Sequence, residues 1–182
     1  MKCHTTKHVG IILSKDLSWH KYISSIETKA RSVLNRMTRF KYILDRRCLE
    51  RIYIFNIRPI MECGDAISAD DNQTDLERLE MVQKDAAWVV TGATVRCSTV
   101  LLMKDVAWAP LQSRRRSYRL TLFYKIVNGL SPPYLPVMGF LPTRVADRMR
   151  YALHTSQDFR MPVCRTNSLN SSFLPNTVMG WS

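Results

Sequence analysis

The stretch WHKYISSIETKARSVLNRMTRF, Trp19–Phe40, decides what kind of fold this chain adopts. Its apolar residues Trp19, Tyr22, Ile23, Ile26, Ala30, Val33, Leu34, Met37 and Phe40 recur at steps of three and four, which line up on one face of an α-helix. About six turns therefore share one core-facing stripe, and Ser18 stands where a cap for the first turn belongs. Lys21, Lys29, Arg31, Arg36 and Arg39 fall on the opposite face. A helix of this length needs other helices or a sheet to cover its stripe.

Upstream, His8–Leu13 (HVGIIL) reads as a strand with no second strand in the chain to pair with. Downstream, a second helix starts near Asp45 and carries Leu49, Ile52, Tyr53, Phe55 and Ile57 on nearly every side, so it is expected to be central and to bend or stop at Pro59. Thr74 and Glu77 have capping-box spacing, Leu76, Leu79, Val82, Gln83, Ala86 and Val90 form an inner face, and Gly92 stands at a C-cap. A short helix is placed around Thr99 to Lys104. Pro110 opens a fourth long helix, with Leu111, Tyr118, Leu122 and Ile126 inward and Gly129 at its end. Beyond Leu141 only Arg144 to Met149 has a helical pattern; the remainder reads as short extended pieces. The fold class is mainly α: a bundle of about four long helices with a short N-terminal strand and an irregular, extended tail. The divisions are 1–17, 18–135 and 136–182.

At 182 residues and 46% hydrophobic content the chain is globular, and no apolar run reaches the roughly 20 residues of a membrane span. No secretory leader is read at the N-terminus, so an intracellular site, nuclear or cytoplasmic, is expected. Cys3, Cys48, Cys63, Cys97 and Cys164 are odd in number and contain no CxxC, so free thiols are expected. Cys3, His4 and His8 lack a fourth ligand at finger spacing, and no metal or other cofactor is implied. The net charge of +12 is unevenly placed. Residues 19–58 carry ten Lys/Arg against three acids, residues 59–110 four against nine, and residues 111–182 ten against two. Two basic blocks around an acidic middle suit a surface that follows a polyanion while the acids pair internally or face away.

For catalysis the sequence offers SADD, Ser68–Asp71. Paired aspartates hold two metal ions when apolar strands fix them on both sides. Here Asn72, Gln73 and Thr74 lead straight into a helix, and acids before a helix N-terminus are explained by its dipole. No Ser/His/Asp set, phosphate loop or HExxH is present, and His4, His8, His20 and His154 have no motif partners. The chain reads as a non-enzyme without a small-molecule substrate.

Five segments in order resemble the C-terminal part of reverse transcriptases of non-LTR, jockey-like retrotransposons. They are HVGIIL with LSW (8–13, 17–19), IYIFNIRPIMECG (52–64), LERLEMVQKDAAWVVTG (76–92), WAPLQSRRRSYRLTLFYKIVNGLSPPYL (108–135), and SFLPNT (172–177) with Trp181. The resemblance implies that the chain starts downstream of the palm active site of an RNA-directed DNA polymerase. His8, Val9, Gly10 and Ile11 would be the primer-grip-like segment, its partner strands lying in the palm, and the helices would be the thumb. The partner implied is an RNA or RNA–DNA hybrid template-primer. Lys29, Arg31, Arg36 and Arg39 would face its backbone, with Arg46, Arg47, Arg114, Arg115 and Arg116 as further contacts. Cys63 replaces a Tyr of the family pattern, Ser68 a Trp and Trp88 an Arg, as in an unselected copy. Two other readings stand beside this one: a domesticated helical protein-interaction module, and a decayed remnant without function. With the palm absent, the strand and the Trp19–Phe40 stripe are expected to be exposed or loosely covered, the helices from Thr74 to Gly129 to be the best-ordered part, and residues 1–14 and those beyond about 140 to be mobile.

Overall fold

The computed structural model describes residues 5–8, 10–15, 18–65, 73–93, 97–135, 159, 163–166 and 172–181. Its elements are β1 (Thr5–His8), β2 (Ile11–Ser14), α1 (His20–Arg39), α2 (Arg46–Ile52), a π-helical segment (Tyr53–Ile57), α3 (Arg58–Glu62), α4 (Gln73–Thr91), α5 (Thr99–Val106), α6 (Leu111–Val127) and α7 (Phe173–Trp181). The fold is mainly α with a small two-stranded sheet. SADD, Cys3, His4, Val9 and Arg144 to Met149 lie outside the described residues.

The chain divides into two compact units, one of residues 1–64 with 71–114 and one of residues 65–70 with 115–182. The division falls inside α6 rather than at residues 17 and 135, so the hairpin belongs with the helices after it.

In the first unit the expected lone strand is a hairpin. β1 pairs antiparallel with β2, His8 opposite Ile11, and Gly10 sits in the turn with φ 87°. Glycine accepts that angle without a Cβ clash, which cuts the His8–Leu13 run in two. Thr5–His8 escaped the sequence reading because it is largely exposed and polar, without apolar alternation. The expectation that the strand lacks a partner is therefore corrected. A two-stranded hairpin is marginal by itself, but Ile11 and Ile12 pack against the helical core.

The α1 stripe is also covered, contrary to expectation. Tyr22, Ile23, Ile26, Ala30, Leu34 and Met37 are buried against Leu49, Tyr53, Ile57 and Met61 of the second helical run and against Leu79, Val82, Ala86 and Val90 of α4. The capping position of α1 is Trp19, not Ser18, and it makes no side-chain cap. Phe40, at the far end, is 47% exposed.

Asp45 does cap α2: its carboxylate accepts from the Cys48 N–H at 3.0 Å. A bond from the Cys48 thiol and then that from its N–H, with Arg47 and Arg51 nearby, hold the carboxyl below its usual range. Pro59 neither ends nor visibly breaks the run. Proline lacks the N–H that would bond to the Phe55 carbonyl, and its ring crowds that carbonyl. The helix widens just before it, the Arg58 N–H reaching back five residues to the Tyr53 carbonyl. The segment is not central on all sides either, because Arg51, Phe55 and Asn56 face solvent.

α4 starts no later than Gln73, so Thr74 lies inside it, and Glu77 accepts from the Gln73 amide instead of closing a capping box. Asp75 and Ala87 join the expected buried face. Gly92 and Gly129 come directly after α4 and shortly after α6 with φ 65° and 69°, the left-handed geometry of helix ends.

In the second unit, Phe123, Ile126, Phe159, Phe173 and Val178 form the core. The Phe123 ring meets those of Phe159 and Trp181 edge-on at 5.1 and 5.3 Å. Tyr118, expected inward, is 48% exposed, and Phe123 takes the buried place. Phe173–Trp181 is helical rather than extended, because Pro175 falls in the first turn, where its missing N–H is not needed.

Gly64 has φ 71°, and a Cβ there would lie 2.5 Å from the Tyr22 hydroxyl, which donates to the Cys63 carbonyl at 3.0 Å. Gly92 has similar backbone geometry and open space. Gly64→Ala is expected to cost about 2–4 kcal/mol, left-handed strain plus overpacking, against about 1–2 for Gly92→Ala. Urea melts of the two variants check this; equal losses would mean that Tyr22 yields freely.

Candidate nucleic-acid interface

The charges along α1 divide into those neutralised inside the first unit and those left free. α1 and α4 run parallel, residue 20 beside 75 and residue 31 beside 85, and a chain of ion pairs joins them. His20 Nδ1 meets the Asp75 carboxylate at 2.9 Å, and Arg78 bridges Asp75 at 3.2 Å and Glu27 at 2.5 Å. Arg31 binds Glu27 at 2.9 Å and Asp85 at 3.0 Å. Its bond to Glu27, then the one to Asp85, outweigh the desolvation between them and raise the Arg31 pKa further. Arg31 thus belongs to the α1–α4 seam, and the charge expected to meet phosphate is already met by two carboxylates.

Lys29, Arg36 and Arg39 differ. All three are exposed, and among the described residues their side chains form no hydrogen bond or ion pair. Residues 29 and 36 are seven apart and 36 and 39 three apart, so they stand on one side of the helix over about 15 Å of its axis. A row of this length matches the span of several successive phosphates of a duplex strand.

The turn after α1 extends the row. Arg46 and Arg47 sit in the first turn of α2, where the helix dipole disfavours cations and no acid is present. Arg46 is half occupied, contacting the Asp105 carboxylate and donating to the Asp105 carbonyl, both at 3.0 Å. Arg47 is exposed, with the Asp45 carboxylate in its neighbourhood but no ion pair among the described residues. Since α2 folds back from the end of α1, Arg36, Arg39, Arg46 and Arg47 gather at one end of the helical unit.

The arginine triplet at the start of α6 is not part of this surface. Arg114 is 9% exposed, and its Nε donates to Glu62 at 2.7 Å, where Arg58 also binds. Its other nitrogens donate to the Ala109 carbonyl and, at 2.9 Å, to the Gln83 side-chain oxygen. The same Gln83 oxygen accepts from the Tyr53 hydroxyl at 3.0 Å, and the Gln83 amide donates to Ala109. Glu80 accepts from the Leu111 N–H at 2.9 Å, satisfying an orphan donor at the start of α6. Arg115, in the second unit, is buried with Asp65 3.5 Å away, and Arg116, exposed, donates to the Gly180 carbonyl at 3.2 Å. Arg114 and Arg115 are thereby corrected from backbone contacts to interior groups. The triplet reads as solvated in sequence because Glu62, Gln83 and Asp65 lie 31 to 52 residues away.

His8, Gly10 and Ile11, for which the resemblance implies a primer-grip-like role, lie in the hairpin, His8 and Gly10 exposed and Ile11 partly buried. Among the described residues no three His, Cys, Asp or Glu side chains gather as metal ligands, and no helix is long and apolar enough to cross a membrane. Cys63 is exposed, so this position calls for no buried aromatic. Compared with known proteins, the chain matches no family model, no curated protein and no solved structure.

Two measurements separate interior from surface arginines. Arg114→Ala takes one partner each from Glu62, which keeps Arg58, and from the Gln83 oxygen, which keeps Tyr53, and is expected to cost about 1–3 kcal/mol, whereas Arg36→Ala stays within about 0.5. Comparable losses in chemical denaturation would refute the assignment. Burial pushes the Tyr53 hydroxyl up to about 12, so the folded chain keeps a proton that the unfolded chain releases near pH 10. Stability is then complete below pH 10 and falls as pH rises towards 12; Tyr53→Phe should flatten that decline.

Proposed function

We propose that the first helical unit binds the phosphate backbone of nucleic acid without reading its bases. The observation that carries this is the row Lys29, Arg36, Arg39 and Arg47, exposed and without ion pairs among the described residues, beside a seam in which the neighbouring acids are already paired. Arg46 is held by Asp105, but folding stability gives no reason for Arg47 in the first turn of α2, and counterion release gives one. In this reading Arg46 is a secondary contact, while Arg31, Arg114 and Arg115 are structural.

The resemblance to the thumb of non-LTR retrotransposon reverse transcriptases supports the same function. A polymerase thumb holds a moving RNA–DNA hybrid through its backbone, which calls for a rigid helical scaffold and unpaired cations. The chain would be catalytically silent by itself, its ligand an RNA or an RNA–DNA hybrid. The protein-interaction reading draws less support from this row, because interface cores are depleted in lysine and charge.

The test is the salt dependence of binding to an RNA–DNA hybrid. Each phosphate contact contributes about −0.9 to the log–log slope on duplex DNA and a similar amount here. Replacing Lys29, Arg36 and Arg39 together by Ala should flatten the slope by roughly 3 for every sequence alike, while Arg31→Ala leaves it nearly unchanged. A slope unaltered in the triple variant, or a loss confined to one sequence, would refute backbone binding by this face.

A further inference from the structure

The turn between α1 and α2 carries large apolar side chains that the core does not take up. Tyr42 is 87% exposed, Ile43 77% and Phe40 47%, and Phe55, eight residues after Arg47 on the outer side of the next run, is 72% exposed. The turn itself is well fixed: the Ile43 and Leu44 N–H groups donate to the Phe40 carbonyl at 2.9 Å, and Asp45 starts the next helix. The rings of Phe40 and Tyr42 are therefore carried by an ordered turn, and that of Phe55 by the π-helical segment after α2. Lys41 places its ammonium 4.6 Å from the Tyr42 ring centre, leaving the other face of that ring open.

Exposed rings embedded among cations suit a particular ligand. Arg36, Arg39, Lys41, Arg46, Arg47 and Arg51 surround the turn, and Asp45 and Glu50 are the only acids in residues 36–51. A duplex offers phosphates to such a surface but hides its base faces in the stack. Unpaired nucleotides offer both phosphate and a free π-face, and aromatic rings beside basic side chains are how proteins grip single strands without sequence preference.

We propose that the α1–α2 turn stacks unpaired bases, with Tyr42 as principal platform and Phe55 as the second, so that the interface favours single strands and duplexes bearing an overhang over blunt duplexes. The inference rests on the backbone-binding reading and adds the class of ligand.

The test compares the wild-type chain with Tyr42→Ala, Tyr42→Ala/Phe55→Ala and Arg36→Ala/Arg39→Ala, thermal melts verifying that each folds. Fluorescence anisotropy uses a labelled single-stranded RNA, the same RNA in a blunt hybrid, and the hybrid with an overhang. The Tyr42 and Phe55 variants should lose roughly tenfold or more on the single strand and the overhang and less than about twofold on the blunt hybrid. The arginine variant should weaken all three ligands. If the blunt hybrid binds with steep salt dependence while Tyr42→Ala changes nothing, stacking is refuted and backbone binding stands. If no nucleic acid binds wild type, both fall. Vesicles of phosphatidylserine supply the last arm: binding lost there on removing Tyr42, with RNA affinity unchanged, would assign the turn to an anionic membrane surface and overturn the proposal.

Discussion

The ion-pair seam between α1 and α4 is the constraint on which both the first unit and its surface depend. An amphipathic helix with five basic residues opposite its stripe has two ways to place them, against acids or against water. Glu27 sits inside α1 itself and, with Asp75 and Asp85 of α4, draws in His20, Arg31 and Arg78. These pairs lie at the border of the apolar contact, partly shielded, where they fix the parallel register of two helices that hydrophobic burial alone would let slide. Because the acids are engaged there, the outer row of α1 is left electrostatically uncompensated. The exposed basic row is in this sense a by-product of how the seam is paired.

A second polar centre ties the later helices of the first unit together. Tyr53, Gln83, Arg114 and Glu62 bring a donor or acceptor each from the π-helical segment, α4, α6 and α3, and the stacking of Trp108 on Tyr53 at 3.7 Å seals the cluster. A half-satisfied network of this kind would be worse than an apolar core. Its bonds are mutual, and Trp108 adds a bond from its indole N–H to Glu50 at 3.3 Å. The widened turn at Tyr53–Ile57 serves the same cluster, since it absorbs the missing hydrogen bond of Pro59 while Tyr53 stays pointed at Gln83.

The α1 stripe, the start of α2 near Asp45 and the glycine stops of α4 and α6 are legible in the sequence, because each depends on residues within one or two turns of one another. Whatever depends on distant partners is concealed. An arginine triplet looks solvated until Glu62 and Gln83 arrive beside Arg114. The polar strand Thr5–His8 carries no periodicity, and its role comes only from the hairpin turn at Gly10. Pro59 and Pro175 read as breaks, yet one is absorbed by a π turn and the other lies in a first turn. For the candidate site, the basic residues are legible as a class. Which of them remain free is not, because that is decided by carboxylates some 50 residues away.

Nucleic acid, on the function proposed, meets the outer face of α1 and the turn after it, and not the arginines at the start of α6. Arginine side-chain Nε–Hε resonances, followed by NMR while an RNA–DNA hybrid is added at low salt, test this residue by residue. Arg36, Arg39 and Arg47 should shift progressively with the hybrid, while Arg31 and the interior Arg114 and Arg115 hold their positions. Shifts centred on Arg114 and Arg115, with Arg36 and Arg39 unmoved, would contradict it.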